Sequence, residues 1–272
     1  MQVTKQNYFD LETDRAYMSN SQFKGFMNCE AKQMAILDGS HEKTSTPAML
    51  LGKYVHAWNE DDLENFKSLN PEIYTQKGEL KSEFKNANEI IEIIKSSPLF
   101  MEVLSGQKEV IFTAEMFGAT WKVLIDSYLP EKNRFADLKV MAKLRDKCWD
   151  EALSCYVTSY ENYGYWVQMA VYAEVERIAN GRNTHLEPFI AVVTKEAYPD
   201  KAIISFVGDS DIPEAQLDHF LDVQLKFVEF NMPRILAVKS GTEKARRCEA
   251  CDYCRKSKIL TRTMHYSEFN LY

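Results

Sequence analysis

The chain has 272 residues, 45% apolar and 27% charged, and these proportions exclude disorder or low complexity as its main state. No apolar run approaches the ~18 residues of a membrane helix, and the opening MQVTKQNYFDLETDRAY lacks the basic-then-apolar layout of a secretory signal. The cytoplasm is therefore the expected compartment, with no membrane as partner. The net charge of -7 gives no overall sign of nucleic-acid binding, yet residues 239–258 carry seven basic side chains against three acidic ones, a local +4 that leaves -11 elsewhere.

No repeat or linker-like stretch divides the sequence, so a single domain over 1–272 is expected. Ser19 and Gln22 have the spacing of a capping box. Phe23, Phe26, Met27 and Met34 then recur with helical period, which puts Cys29 early in a partly buried helix. Thr46-Pro47 is an N-cap followed by proline at the first helical position, and the helix is predicted to run on to Phe66, with His56 and Glu60 on one face. Residues 81–96 form a third helix, ended by Ser97-Pro98. Strands follow in EVIFTAEM, WKVLIDSYL and RFADLKV, joined by short turns. Residues 148–180 read as two helices broken near Tyr163-Gly164, then come strands in LEPFIAVVTKEA and KAIISFVG, then a long helix over 213–238. The order favours an α/β or α+β fold, a sheet flanked by helices.

The sharpest chemical pattern is IDSYLPEKNRFADLKV. In a strand, residues i and i+2 share a face, so Asp137 and Lys139 emerge side by side, and Asp126 on the preceding strand can converge on them. Two close carboxylates repel unless a cation neutralises them, and hard oxygen ligands suit Mg²⁺ or Mn²⁺. An adjacent lysine could orient or help deprotonate a metal-bound water, the chemistry of phosphodiester hydrolysis. On spacing alone, the plainer reading is a turn aspartate beside a surface ion pair.

Together with Gly52-Lys53-Tyr54-Val55-His56 on a helix, and Gln168 and Tyr172 in YWVQMAVYAEV, the set resembles the PD-(D/E)XK nuclease superfamily. More narrowly it resembles the RecE-type phage exodeoxyribonucleases, with CRISPR-associated and RecB/AddB nuclease domains as cousins. The resemblance implies a restriction-endonuclease-like core with a central mixed sheet. It implies that Asp126, Asp137 and the Leu138 carbonyl ligate the divalent metal, that Lys139 handles the attacking water and that His56 completes or orients the metal shell. Gln168 would touch the scissile phosphate or orient Lys139, and Tyr172, one turn below, either joins it or simply packs in the core. The implied substrate is double-stranded DNA ends, resected 5′ to 3′ in phage-type recombination, with a single-strand annealing protein as partner and a homo-oligomer as the assembly some relatives form.

Cys248-x2-Cys251-x2-Cys254 is the second pattern: three cysteines at three-residue steps can hardly pair with one another but can wrap one metal centre. The resemblance supplies Cys29 as fourth ligand, because the CRISPR-associated and AddB-type relatives staple their chain ends this way around a 4Fe-4S cluster. Four thiolates also suit structural Zn²⁺. Around this triplet, Arg246, Arg247, Arg255 and Lys256 could contact DNA phosphates, or form a solvated charged tail. Cys148 and Cys155 are expected as core residues on a helix, and Glu109 and the histidines other than His56 suggest no role.

Overall fold

The computed structural model describes residues 1–42, 46–150, 154–207 and 213–270. Helices α1 (Leu11–Ala16), α2 (Asn20–Asn28), α3 (Glu30–Asp38), α4 (Pro47–Asn59), α5 (Leu63–Leu69), α6 (Ser82–Lys95) and α7 (Pro98–Val103) come first. Strands β1 (Val110–Met116), β2 (Ala119–Ile125), β3 (Ser127–Leu129) and β4 (Arg134–Met141) follow. Next come β5 (Lys147–Asp150), β6 (Cys155–Thr158), α8 (Ser159–Asn162), α9 (Tyr165–Ala179), β7 (Glu187–Thr194) and β8 (Lys201–Ser205). Helices α10 (Pro213–Lys239) and α11 (Asp252–Lys256) complete the set.

Three predicted helices change. The first breaks at Cys29, whose extended backbone ends α2 and starts α3 while its thiol accepts the Lys32 amide, so Cys29 is a junction and not a helical position. The second stops at Asn59, because Asp61 takes a left-handed conformation (φ 58°) and the chain restarts as α5. Residues 147–150 and 155–158 pair as the antiparallel strands β5 and β6 where a helix was expected; positions 151–153 of that reading lie outside the described residues. Trp149 of β5 faces Tyr156 of β6 edge to face, with ring centroids 5.3 Å apart, and this aromatic pairing outweighs the helix-forming residues in the segment. Cys148 is therefore half-buried and Cys155 exposed, and neither is a core residue.

The central sheet has the order β3-β4-β7-β8, with β4 and β7 parallel and the outer pairs antiparallel, flanked by helices as expected. The parallel pair requires a crossover, and α9 supplies it. On one face Ala136, Leu138, Ala191 and Val193 pack beneath α4 and α6 through Leu51, Val55, Ile90 and Ile94. On the other, Phe135, Ile190 and Val192 meet Met169, Ala170 and Ala173 of α9. Strand alternation therefore sends Asp137 and Lys139 to the α9 side. The β1–β2 hairpin packs Trp121 and Val123 against Phe23 and Phe26 of α2 and Val171 and Val175 of α9.

One packing detail fixes the edge of the sheet beside Asp126. The chain at Gly106 runs against β3: its amide donates to Ser127 Oγ at 2.9 Å, and an added Cβ would lie 2.5 Å from the Tyr128 carbonyl oxygen. Only glycine allows this approach, which holds the chain just after Asp126.

Glu174 on α9 gives a pH prediction. Burial alone would raise its carboxyl, but hydrogen bonds with Arg177 and His185 pull it down to about 2 from the ordinary 4.5. A depressed carboxyl contributes stability that is present above the unfolded value and lost as pH falls through the folded one. Glu174→Gln should consequently lower the urea midpoint at neutral pH and flatten its decline between about pH 5 and pH 2. An unchanged acid slope in the variant would remove Glu174 from the acid sensitivity of the fold.

Candidate active site

Four separate parts of the chain place polar groups at one end of the central sheet. Asp126 sits at the break between β2 and β3, where its Oδ2 accepts the Leu138 amide of β4 at 2.8 Å. The carboxylate thereby continues the strand pairing with a side chain, and is drawn against β4 beside Asp137. Asp137 and Lys139 alternate on β4, and their Oδ2 and Nζ are 2.5 Å apart. Gln168, in the first turns of α9, donates from Nε2 to Asp137 Oδ1 at 2.8 Å. From α4, His56 brings Nδ1 to 3.5 Å from Asp126 Oδ2. The sequence-predicted Asp126, Asp137, Lys139, His56 and Gln168 are thus brought together. Tyr172, one turn beyond Gln168 and in hydrogen-bond contact with it, lines the same cleft while also packing on the core.

The electrostatics follow from burial. Asp126 and Asp137 are both buried. Loss of hydration pushes the Asp137 carboxyl up to about 6, opposed by Lys139 and reinforced by Asp126. Burial would depress the Lys139 ammonium, but Asp137 and Asp126 outweigh it and hold the group above the ordinary lysine value, with the Tyr165 ring 5.0 Å away. Burial, then Tyr8, Asp137 and Asp126, push the Tyr172 phenol well above 10, so it stays protonated.

Asp137 Oδ2 is buried and, apart from its ion contact with Lys139, has no hydrogen-bond partner among the described residues. Two buried carboxylates, one with an oxygen left this way, and an adjacent imidazole form a donor set that fits a hard divalent cation.

A cleft of about 540 Å³ opens over these residues. Its lining adds groups that sequence reasoning did not find: Lys53 on α4, the aromatic pair Tyr8 and Phe9, Ser19 to Ser21 at the start of α2, and Glu60 with Glu109. Burial and the nearby Glu109 and Asp126 carboxylates push Glu60 up to about 8, and Glu60 and Glu109 are hydrogen-bonded to each other. The only sequence signal for Glu60 is its place one turn after His56. Glu109, in a left-handed turn before β1, gives none. None of Arg246, Arg247, Arg255 and Lys256 lines this cleft. Arg247 is bound to Glu249, Ser257 and the Cys254 carbonyl, while Arg255 and Lys256 are exposed.

The four predicted cysteines do meet. Cys29, Cys248, Cys251 and Cys254 place their sulfurs within 4.8 Å of one another, with Cys29 and Cys254 buried. The cluster lies at the C-terminal end of α2, whose first turn borders the cleft; nine residues at 1.5 Å each put roughly 13 Å between the two ends of that helix.

Residues 19–257 match a family model described as a PDDEXK-like domain of unknown function (DUF3799). A crystal structure from Eubacterium rectale, of a protein named "putative exonuclease", aligns with all of this chain and 99% of its own at 41% identity, with a TM-score of 0.89. The crystal structure of SSO0001 aligns with 90% of this chain and 96% of its own at 11% identity and a TM-score of 0.31, a likeness too slight to carry weight. No curated protein matches the chain.

Proposed function

The chain belongs to the PDDEXK-like family DUF3799, and from that membership we propose that it is a divalent-metal-dependent exodeoxyribonuclease hydrolysing phosphodiester bonds at duplex DNA ends. The observation that carries this reading is the convergence of Asp126, Asp137 and Lys139 in one cleft, supported by His56 and Gln168. Asp126, Asp137, the Leu138 carbonyl and His56 would hold Mg²⁺ or Mn²⁺, which when bound supplies a Lewis acid and a more acidic water. Lys139 orients the attacking water and offsets charge gathering on the phosphate. Gln168 keeps the Asp137 carboxylate aimed into the cleft, and Tyr172 supports Gln168 from the next turn. Lys53 at the cleft edge would meet the DNA backbone, and the exposed Phe9 offers a face for a base.

The proposal extends to a nuclease domain over 1–272 that resects 5′ to 3′ in phage-type recombination, beside a single-strand annealing protein and as a homo-oligomer. These features rest on the likeness to RecE-type enzymes. For Arg246, Arg247, Arg255 and Lys256, a DNA contact would lie outside the cleft, towards the far end of α2.

Incubation with linear and closed-circular duplex DNA, with and without Mg²⁺, tests the central reading. Degradation of linear DNA alone, only with the metal, is expected; no degradation of either form under any divalent ion would overturn it. Within the site, Gln168→Ala should slow cleavage by roughly 10- to 100-fold and raise the Mg²⁺ concentration needed for half-maximal rate, as loss of a group orienting a metal ligand does. A normal Mg²⁺ requirement would show that Gln168 does not position Asp137.

A further inference from the structure

The sulfur positions suit one of the two kinds of centre that four cysteines can hold better than the other. Around a single tetrahedral ion, Zn–S bonds of about 2.3 Å set the sulfurs roughly 3.8 Å apart. In a 4Fe-4S cube each thiolate is bonded to its own iron at a separate corner, so the four sulfurs stand well farther apart than around one ion. Here Cys29 and Cys254 sulfurs are 3.5 Å apart, Cys248 and Cys254 sulfurs 3.9 Å apart, and no pair exceeds 4.8 Å. The cluster implied by the resemblance does not fit this spacing, and neither does a two-iron cluster, whose opposite thiolates are also held apart by bridging sulfides. We propose that Cys29, Cys248, Cys251 and Cys254 bind one tetrahedral Zn²⁺.

Local structure explains the tight spacing. Cys251 caps α11 and Cys254 lies in its first turn, where its amide donates to Cys251 Sγ at 3.4 Å; the Cys251 amide donates in turn to Cys248 Sγ at 3.3 Å. The Lys32 amide does the same for Cys29 at 3.4 Å. Three of the four sulfurs thus accept a backbone N–H, the contact that helps hold a thiolate once the metal has displaced its proton. Binding releases one proton from each thiol and leaves a net charge of -2, against which Lys32 and Arg247 lie. With four protein ligands no position is open for water or substrate, so the ion is structural.

The test uses the full chain made in medium supplied with both iron and zinc and purified without oxygen. Zinc, iron and acid-labile sulfide are measured, and the emptied protein is refilled with Co²⁺. The Asp137→Asn chain serves for spectroscopy, so that the catalytic cleft does not contribute and the outcome is independent of the nuclease reading. One zinc per chain without sulfide, and the intense visible absorption of tetrahedral cobalt–thiolate displaced by added Zn²⁺, are expected. Iron with acid-labile sulfide, a single iron without sulfide, or a weak six-coordinate cobalt spectrum would each overturn the proposal. Cys254→Ser should lose the strong cobalt absorption; if that variant fails to fold, the spectrum of the intact cysteine set still decides.

Discussion

Asp137→Asn is expected to reduce DNA cleavage by about three orders of magnitude or more while leaving the fold in place. The substitution keeps the side-chain volume, and its carbonyl oxygen can still accept from Gln168 as Oδ1 does now at 2.8 Å. What it removes is a charge proposed to ligate the metal, and a Lewis acid that contributes several kcal/mol to the transition state would account for a loss of this size at about 1.36 kcal/mol per tenfold. The folding penalty should be small. Burial already disfavours the Asp137 charge, so a neutral amide meets less desolvation cost, partly offsetting the lost pairing with Lys139. Single-turnover cleavage of end-labelled duplex, thermal melting and DNA binding in Mg²⁺-free buffer separate the contributions. Near-normal cleavage by both Asp137→Asn and Lys139→Ala would show that hydrolysis happens elsewhere.

The second large effect is on stability. Cys254→Ser should lower Tm by about 10 °C or more, because losing a thiolate from a structural metal centre costs several kcal/mol, and each kcal/mol moves a chain of this size by roughly 2–4 °C. Cys29→Ser should do equal damage although it lies at the other end of the sequence, since its sulfur is 3.5 Å from that of Cys254. Cys155→Ser is the control: that residue is exposed on β6 and its loss should change Tm little. Melting curves with and without a strong chelator check the mechanism, for the chelator should lower Tm in the parent chain and have little further effect in the two damaged variants. Equal melting of all three variants would deprive the cysteine centre of a structural role.

The convergence of polar residues in the cleft was legible because they obey short-range rules. Asp137 and Lys139 two apart on β4 must share a face, and Gln168 and Tyr172 four apart on α9 must share another. The helix break at Cys29 was not, because continuous apolar periodicity on both sides conceals a turn set by the cysteine itself. Residues 147–150 and 155–158 misled for a related reason: strong helix formers sit beside an aromatic cross-strand pair whose benefit exists only once β5 and β6 pair. Glu60 and Glu109 come from separate elements and share no spacing rule, so only the folded chain brings them together. The buried Lys122, paired with Asp14 at 2.7 Å, was hidden likewise.

The joining of Cys29 to Cys254 also constrains the order of events during synthesis. The two residues are 225 positions apart, so at 5–20 residues per second the ribosome needs roughly 11–45 s between them. For most of that interval α2 and α3 are present without the partners that pin their junction, including the carbonyl of Arg246 that accepts the Ala31 amide and the Arg234 guanidinium that clasps Glu30. Phe23 and Phe26 can settle on Trp121 once β2 emerges, but the thiol of Cys29 waits for the last tenth of the chain. The N-terminal helices are therefore an early-made, late-locked unit, and a nascent chain halted before Cys248 would be open to proteolysis at the α2–α3 junction in a way the finished protein is not.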